Sequence, residues 1–373
     1  MSGTPARTAD TATAAEVVCL GESMVTFLPS QPGRLADVPS FSRGIGGAES
    51  NVACALAAAG HRAAWVSRVG ADGFGDHLVE AIAGYGVDTR AVRRDPARPT
   101  GIYFRTATDR ATDVHEVAYY RSGSAASAMS PDNVPYEALF AGRVLHLSGI
   151  TAALSADCLA LLHDLTAPRS GRPLISFDVN HRPGLWRDAG AAPDVLLDLA
   201  RRCDLVFVGE DEAEEAWGVK GAEAIRAVLP EPGVLVVKRG ATGATVFSGL
   251  RPGPRSSIAG GAEFAPGEAE TVPGRAESVT TVPALRVDVV APVGAGDAFA
   301  AGFLSATLRD LPVRDRVRHG HLMAAAVLTV PGDLTDPPAR AHADALAALD
   351  DEAWGRLRLG PGWTGDDQEV RTT

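Results

Sequence analysis

The chain has 373 residues, 46% of them hydrophobic and 22% charged, enough for one large domain with a core buried on both faces of a sheet. Its formal net charge of -11 excludes a general binder of nucleic acid or anionic membrane, which needs a basic surface to displace counterions. The four cysteines, Cys19, Cys54, Cys158 and Cys203, lie far apart without CxxC spacing, which excludes a disulfide scaffold and suits reduced core residues in the cytoplasm.

Residues 1–15 are rich in Ala and Thr, carry Arg7 and Asp10, and lack the basic start and apolar run of a signal peptide. They are expected to be a disordered extension. No stretch reaches the roughly 18 uncharged apolar residues of a membrane span. Short apolar runs flanked by turn residues then alternate with stretches of helical spacing, the pattern of an α/β fold with a mainly parallel sheet covered by helices. The predicted strands are 17–21, 64–69, 144–148, 174–179, 205–208, 234–238 and 287–290. Helices are predicted at 51–59, ended by Gly60, and at 75–83, ended by Gly84, both by glycine C-caps. A further helix after Asp297 would carry Phe299, Phe303 and Ala306 on one face.

Two segments break the alternation: residues 24–43, and about 99–122, whose runs IYFRTAT and HEVAYYR look like an exposed antiparallel hairpin; together they could form a small β lid. Residues 251–283 are dominated by Gly, Pro, Ala, Ser and Glu and read as an inserted flexible loop, and 360–373 as a flexible tail. The domain proper is thus 16–350.

The strongest chemical signal is Val289-Val290-Ala291-Pro292-Val293-Gly294-Ala295-Gly296-Asp297-Ala298-Phe299. Small residues at a helix start let backbone N–H groups approach a phosphate, and the dipole favours its negative charge. Asp297 there admits two readings: a general base that accepts a hydroxyl proton beside an anion hole, or simply a helix N-cap. A second signal is Gly46-Gly47-Ala48-Glu49-Ser50-Asn51, followed by Gly60 and by Gly70-Ala71-Asp72-Gly73-Phe74-Gly75. Paired glycines let a polyol approach the backbone, and Asn51 offers a donor and an acceptor, although glycines before a helix are commonplace.

Together the two segments resemble the two signatures of the PfkB (ribokinase-like) family of carbohydrate kinases, over roughly residues 16–345. The runs Ala118-Tyr119-Tyr120-Arg121-Ser122-Gly123-Ser124-Ala125, Leu145-His146-Leu147-Ser148-Gly149-Ile150-Thr151, Asp178-Val179-Asn180-His181-Arg182 and Lys238-Arg239-Gly240 are most similar to the 2-keto-3-deoxygluconate kinases. The resemblance implies a ribokinase-like three-layer α/β/α sandwich and transfer of phosphate from ATP, with Mg²⁺, to the terminal hydroxyl of 2-keto-3-deoxygluconate. It further implies that Gly46, Gly47, Asn51, Tyr103, Tyr119, Arg121, Ile150 and Arg182 line the substrate pocket. Asp297 would be the base, and the amides of the turn Gly294, Ala295, Gly296 and Asp297 would hold the transferring phosphoryl group.

A sugar acid carries a carboxylate that a guanidinium can grip bidentately, so Arg121 and Arg182 are the expected contacts, unless they are merely solvated surface arginines. Thr26 stands where many fructokinases have an aspartate, which disfavours a neutral hexose. Lys238, Arg239, Gly240 and Gly243 look like the family's ATP-contacting turn. Glu212 would order magnesium through water, although Gly209 replaces the Asn of that Asn-x-x-Glu motif. Ala291 stands where the family usually has Asp, so a monovalent-cation ligand is missing. The nine histidines are scattered and give no transition-metal site. The alternatives are another PfkB-type sugar kinase acting on fructose or ribose, and a non-catalytic sugar-acid sensor. A nicotinamide dehydrogenase is disfavoured because the first strand leads into Gly21-Glu22-Ser23-Met24 and not GxGxxG. Partners are expected to be a small-molecule substrate and a second copy of the chain, since an exposed lid strand seeks a partner edge.

Overall fold

The structure, a computed structural model, describes residues 14–31, 33–106, 116–186, 188–249, 277–365 and 371–372. Its centre is an eight-stranded sheet in the order Ser278–Val282, Ala244–Ser248, Val234–Lys238, Leu205–Gly209, Leu174–Asp178, Val144–Ser148, Val17–Leu20, Ala63–Val66. The last six run parallel and the first two are antiparallel. The parallel strands read as unbroken apolar runs, such as VVCL and LVFVG, because helices cover both faces. Alternation still decides which face each side chain serves. Val17 and Cys19 enter one core with Trp65, Phe207 and the helices Ala48–Ala58, Ala295–Leu308 and Val313–Leu328. Val18 and Leu20 enter the other, with Phe177, Val206 and the helices Ala156–Thr166 and Ala192–Arg201. This is the three-layer α/β/α sandwich expected from the sequence.

A separate four-stranded sheet is ordered Phe41–Gly46, Met24–Pro29, Ile102–Arg105, Val117–Tyr120. The expected hairpin is its Ile102–Arg105 and Val117–Tyr120 pair, with Tyr103 opposite Tyr119. Phe104 stacks on Phe27 with centroids 4.6 Å apart and meets Phe41 edge-on at 5.2 Å, so the sheet has a small aromatic core of its own.

Several boundaries differ from the sequence reading. Of residues 287–290 only Val287 is in a strand, Arg286–Val287, which pairs with Leu357–Leu359 in a small third sheet and not with the central one. Val289 and Val290 are exposed. The β-branched run Ser278–Val282, read as the end of a flexible insertion, pairs with Ala244–Ser248 and forms the sheet edge. Residues 251–276 of that expected insertion, and 1–13 of the expected extension, lie outside the described residues. The tail is not loose throughout, since Trp363 is only 4% exposed against the core. Residues 64–69 divide into Ala63–Val66 and Arg68–Gly70, the latter pairing with Arg93–Asp95. The helix Gly73–Gly84 passes through Gly84, and the left-handed glycine that follows is Gly86, with φ 88°. Gly60, with φ 87°, does follow its helix as expected. Among the described residues no helix is long and apolar enough to cross a membrane.

Candidate active site

The carboxyl ends of the parallel strands open on a cleft of about 590 Å³, where an open α/β sheet collects ligands because chain turns there diverge to either face. Five of the six parallel strands deliver residues to it at or just after their ends. Val17–Leu20 delivers Glu22; Val144–Ser148 delivers Ile150; Leu174–Asp178 delivers Asp178, Asn180 and Arg182; Leu205–Gly209 delivers Glu212; and Val234–Lys238 delivers Lys238. The small sheet adds Met24, Gly46, Tyr103 and Tyr119, with Arg121 just beyond it. All eight expected substrate residues therefore line one space, together with Gly294, Gly296 and Asp297.

The turn before Asp297 shows that this residue is not the helix N-cap. The N-cap of the helix Ala295–Leu308 is Gly294, at φ 81°, and a Cβ there would lie 2.5 Å from the carbonyl oxygen of Asp333. Only glycine fits that left-handed, crowded position. Asp297 is the third helical residue and makes no capping hydrogen bond. Its carboxylate instead accepts from Asn51 Nδ2 at 2.9 Å, which joins two segments 246 residues apart. Burial pushes the Asp297 carboxyl up to about 7; the Asn51 hydrogen bond opposes this, Asp178 adds to it, and Lys238 again opposes it. A carboxyl of that basicity can take up a hydroxyl proton near neutral pH. The first N–H groups of such a helix have no intrahelical acceptors, which suits its start to an anion.

Lys238 donates to both oxygens of Asp178, at 3.1 and 2.8 Å. Burial lowers its pKa, but Asp178 and Glu212 outweigh that and hold it above the ordinary value, so it remains a cation. It lies 3.6 Å from where a Cβ on Gly296 would be, at the head of the Asp297 helix. The rest of the expected ATP-contacting turn does not reach the cleft lining. Arg239 faces Glu210 at 3.5 Å, Gly240 opens a 3₁₀ turn, and Gly243 packs where a Cβ would strike the carbonyl of Val282 at 2.2 Å.

Gly46 and Gly47 are required first by packing. A Cβ on Gly46 would lie 2.6 Å from Tyr103 Oη, and one on Gly47 2.2 Å from the carbonyl of Glu22. Both expected arginines have acidic neighbours. Arg121, stacked over Tyr119 at 5.8 Å, is ion-paired to the fully buried Glu22 side chain, whose other oxygen accepts from Ser124 Oγ at 2.5 Å. Its Nε has no hydrogen-bond partner. Arg182 is half-exposed, donating to the carbonyl of His181 at 2.8 Å and lying 3.4 Å from Glu212. Glu212 Oε2 caps its helix by accepting from the Gly209 N–H at 3.0 Å. Among the described residues no group of three His, Cys, Asp or Glu side chains converges to hold a metal. Magnesium keeps most of its waters and takes its remaining ligands from substrate phosphates, so it does not need such a cluster.

The sequence reading missed Glu22, Glu49, Asp178, Asn180 and Asp333. Asp178 and Asn180 stand in a run already noticed for Arg182, where a carboxylate ending a strand was the available signal. Glu49 is buried; the hydroxyls of Ser148 and Thr151 each donate to its Oε1 at 2.7 Å, and burial raises its pKa against those bonds. It occupies the space a Cβ on Gly21 would need, 2.0 Å away. Asp333 had no local signal.

Residues 14–340 match the family model described as "pfkB family carbohydrate kinase". The chain is 35% identical over 330 residues to the 2-dehydro-3-deoxygluconokinase of Bacillus subtilis (strain 168), covering 87% of this chain and 93% of the relative. It is 33% identical over 333 residues to the enzyme of the same name from Thermoproteus tenax, covering 88% and 93%; plant fructokinases also match. The crystal structure of a PfkB protein from Polaromonas sp. JS666 superposes with a TM-score of 0.73 at 31% identity, covering 89% of this chain and 100% of that one. With the ribokinase-like sandwich, the glycine turn and these matches together, the chain belongs to the pfkB family of carbohydrate kinases, ATP-dependent phosphotransferases that act on sugars.

Proposed function

We propose that the protein transfers the γ-phosphoryl group of ATP to the terminal hydroxyl of 2-keto-3-deoxygluconate. The observation that carries the catalytic part is Asp297, held by Asn51 at the head of a helix, with a pKa near 7. Asp297 takes the hydroxyl proton, the freed oxygen attacks the γ-phosphorus, and the bond to the bridging oxygen breaks with its electron pair leaving on ADP. The N–H groups of Ala295, Gly296 and Asp297 lie where they can hold the equatorial oxygens, and Lys238 balances the charge that gathers there. Magnesium would be held by the phosphates and, through water, by Glu212, and would neutralise phosphate charge. On this reading Gly46, Gly47, Asn51, Tyr103, Tyr119 and Ile150 bound the sugar, and the small sheet is a lid that excludes water.

The substrate assignment is supported by Arg121, a guanidinium on the cleft lining of the kind that grips a carboxylate, and by the names of two relatives above 30% identity. One observation favours a neutral ketohexose: Glu22 already neutralises Arg121. An ADP-coupled assay across 2-keto-3-deoxygluconate, its galactose-derived epimer, fructose and ribose separates the two. A higher kcat/KM for fructose would overturn the sugar-acid reading. ADP formation with no substrate of the panel would overturn the sugar-kinase assignment of the cleft. We further propose a homodimer formed through the edge strand Val117–Tyr120, which displays Tyr119 and Tyr120 at 52% and 64% exposure. The four buried free cysteines accord with a cytoplasmic setting.

A further inference from the structure

We propose that Glu49 is a positioning residue that fixes the first turn of the helix Ala48–Ala58 so that Asn51 meets the Asp297 carboxylate; this rests on the reading of Asp297 as the base. The start of that helix has no capping side chain, since Gly47 stands at its N-cap. Three consecutive residues of its first turn instead reach three separate segments around the cleft. Glu49 Oε1 accepts from Ser148 Oγ and Thr151 Oγ1, both at 2.7 Å, where the strand Val144–Ser148 passes into the helix Gly149–Leu154. Ser50 Oγ donates to Ser23 Oγ at 3.0 Å, just beyond the strand Val17–Leu20. Asn51 Nδ2 donates to Asp297 at 2.9 Å.

Glu49 is fully buried, an expensive place for a carboxyl group, and its Oε2 has no hydrogen-bond partner. A Cβ on Gly21 would lie 2.0 Å from its Cδ, so the end of the first strand packs directly against the carboxyl. Held by two hydroxyls on one side and by that strand end on another, the side chain has no freedom to swing. Asn51 is placed less firmly: its Oδ1 is buried without a hydrogen-bond partner, so the amide depends on the helix that carries it. Residues 49 and 51 lie roughly 200° apart around a helix, so a tie at Glu49 controls the roll that aims Asn51 from the opposite side. A roll of about 15° would carry a group about 6 Å from the axis by about 1.5 Å. That is enough to break the contact with Asp297.

The test compares Glu49→Ala with Glu49→Gln in the full chain, by the pH dependence of kcat/KM and by hydrogen exchange at residues 48–51. The glutamine keeps an oxygen for the two hydroxyls and the alanine does not, while both remove the same charge, so a difference between them reports the tie. In Glu49→Ala kcat should fall about tenfold or more. Burial, Asp178 and Glu49 raise the Asp297 pKa, whereas the Asn51 hydrogen bond and Lys238 lower it. Losing the Asn51 bond should therefore move the acid limb of the Glu49→Ala profile up by about one pH unit relative to Glu49→Gln, with faster exchange at 48–51. Glu49→Gln should restore turnover and exchange towards the parent. A slow Glu49→Ala enzyme whose limb has not moved would overturn the proposal, because that marks a general loss of structure. A Glu49→Gln enzyme as slow as Glu49→Ala would do the same. Should Glu49→Ala not fold, Thr151→Val removes one of the two hydroxyls and should move turnover and limb in the same directions by less; no movement there would overturn the proposal. A parent enzyme without an acid limb would refute the base reading instead, and the tie would then be decided by exchange, with equal rates in Glu49→Ala and Glu49→Gln overturning it.

Discussion

Replacing Asp297 by Asn should remove activity and at the same time stabilise the protein. The two carboxyl-like side chains have nearly the same shape, and the amide oxygen at position 297 can still accept from Asn51 Nδ2, which lies 2.9 Å from the carboxylate. What changes is charge and basicity. Loss of a positioned general base typically costs about 10² to 10⁴ in rate. The carboxyl rises from an ordinary 3.8 to about 7, which corresponds to about 4 kcal/mol of unfavourable burial in the ionised form. Screening by the open cleft reduces this, to about 2 to 4 kcal/mol. With unfolding entropy near 2.1 cal/mol/K per residue and 373 residues, the variant should melt about 3 to 5 °C higher at pH 8. The sign depends on pH. Native Asp297 keeps its proton up to about pH 7 and the unfolded chain releases it near pH 4, so the parent loses stability as pH rises from about 4 to about 7 and levels off above. The Asn variant has no such dependence, and its advantage should shrink at pH 5. Turnover would be followed by coupled ADP release and melting by scanning fluorimetry at pH 5, 6, 7 and 8. Near-parental turnover in a folded variant would refute the base. A melting difference that is the same at all four pH values would refute the buried-charge account.

The same raised pKa predicts that parental kcat/KM climbs with pH to a plateau above about 7, because only ionised Asp297 accepts the proton; a flat profile between pH 5.5 and 8 would contradict it. Arg121→Gln combined with Glu22→Gln removes the cleft guanidinium without stranding the buried Glu22 carboxylate. It should raise KM for the sugar acid by about tenfold while sparing neutral sugars, and equal effects on both would count against carboxylate binding. Gly294→Ala forces a Cβ into a left-handed turn against the Asp333 carbonyl. It should cost about 2 kcal/mol or more in stability, read as a lower melting temperature with lower activity. Gly73→Ala, at a helix start with open space around the new methyl, should be harmless, and a matching loss there would defeat the steric argument.

The sequence by itself determined the layered fold and pointed to most of the residues that meet in the cleft, and each has a local cause. Apolar runs such as Leu205–Gly209 can only be strands buried on both faces, and the turn Gly294-Ala295-Gly296-Asp297 places backbone amides and a carboxylate at one point, whatever surrounds them. Such features depend on chain neighbours. The tertiary structure alone decided the charge state and the partners. Asp297 is a cap or a base depending on whether Asn51, 246 residues away, reaches it, and on how much water the packed helices exclude. Arg121 reads as a free carboxylate receptor until Glu22 is found beside it. Lys238 shows nothing in the sequence of its ion pair with Asp178, two strands away. The edge strand Ser278–Val282 forms because Ala244–Ser248 offers it a ladder, although its flanking composition suggested a loop. Asp333 carried no sequence signal, because its contacts with Tyr103, Arg105 and the Gly294 turn are made across space and not with its neighbours in the chain. Electrostatic and packing contacts act across space, and a linear pattern reports them only where the chain itself brings the partners together.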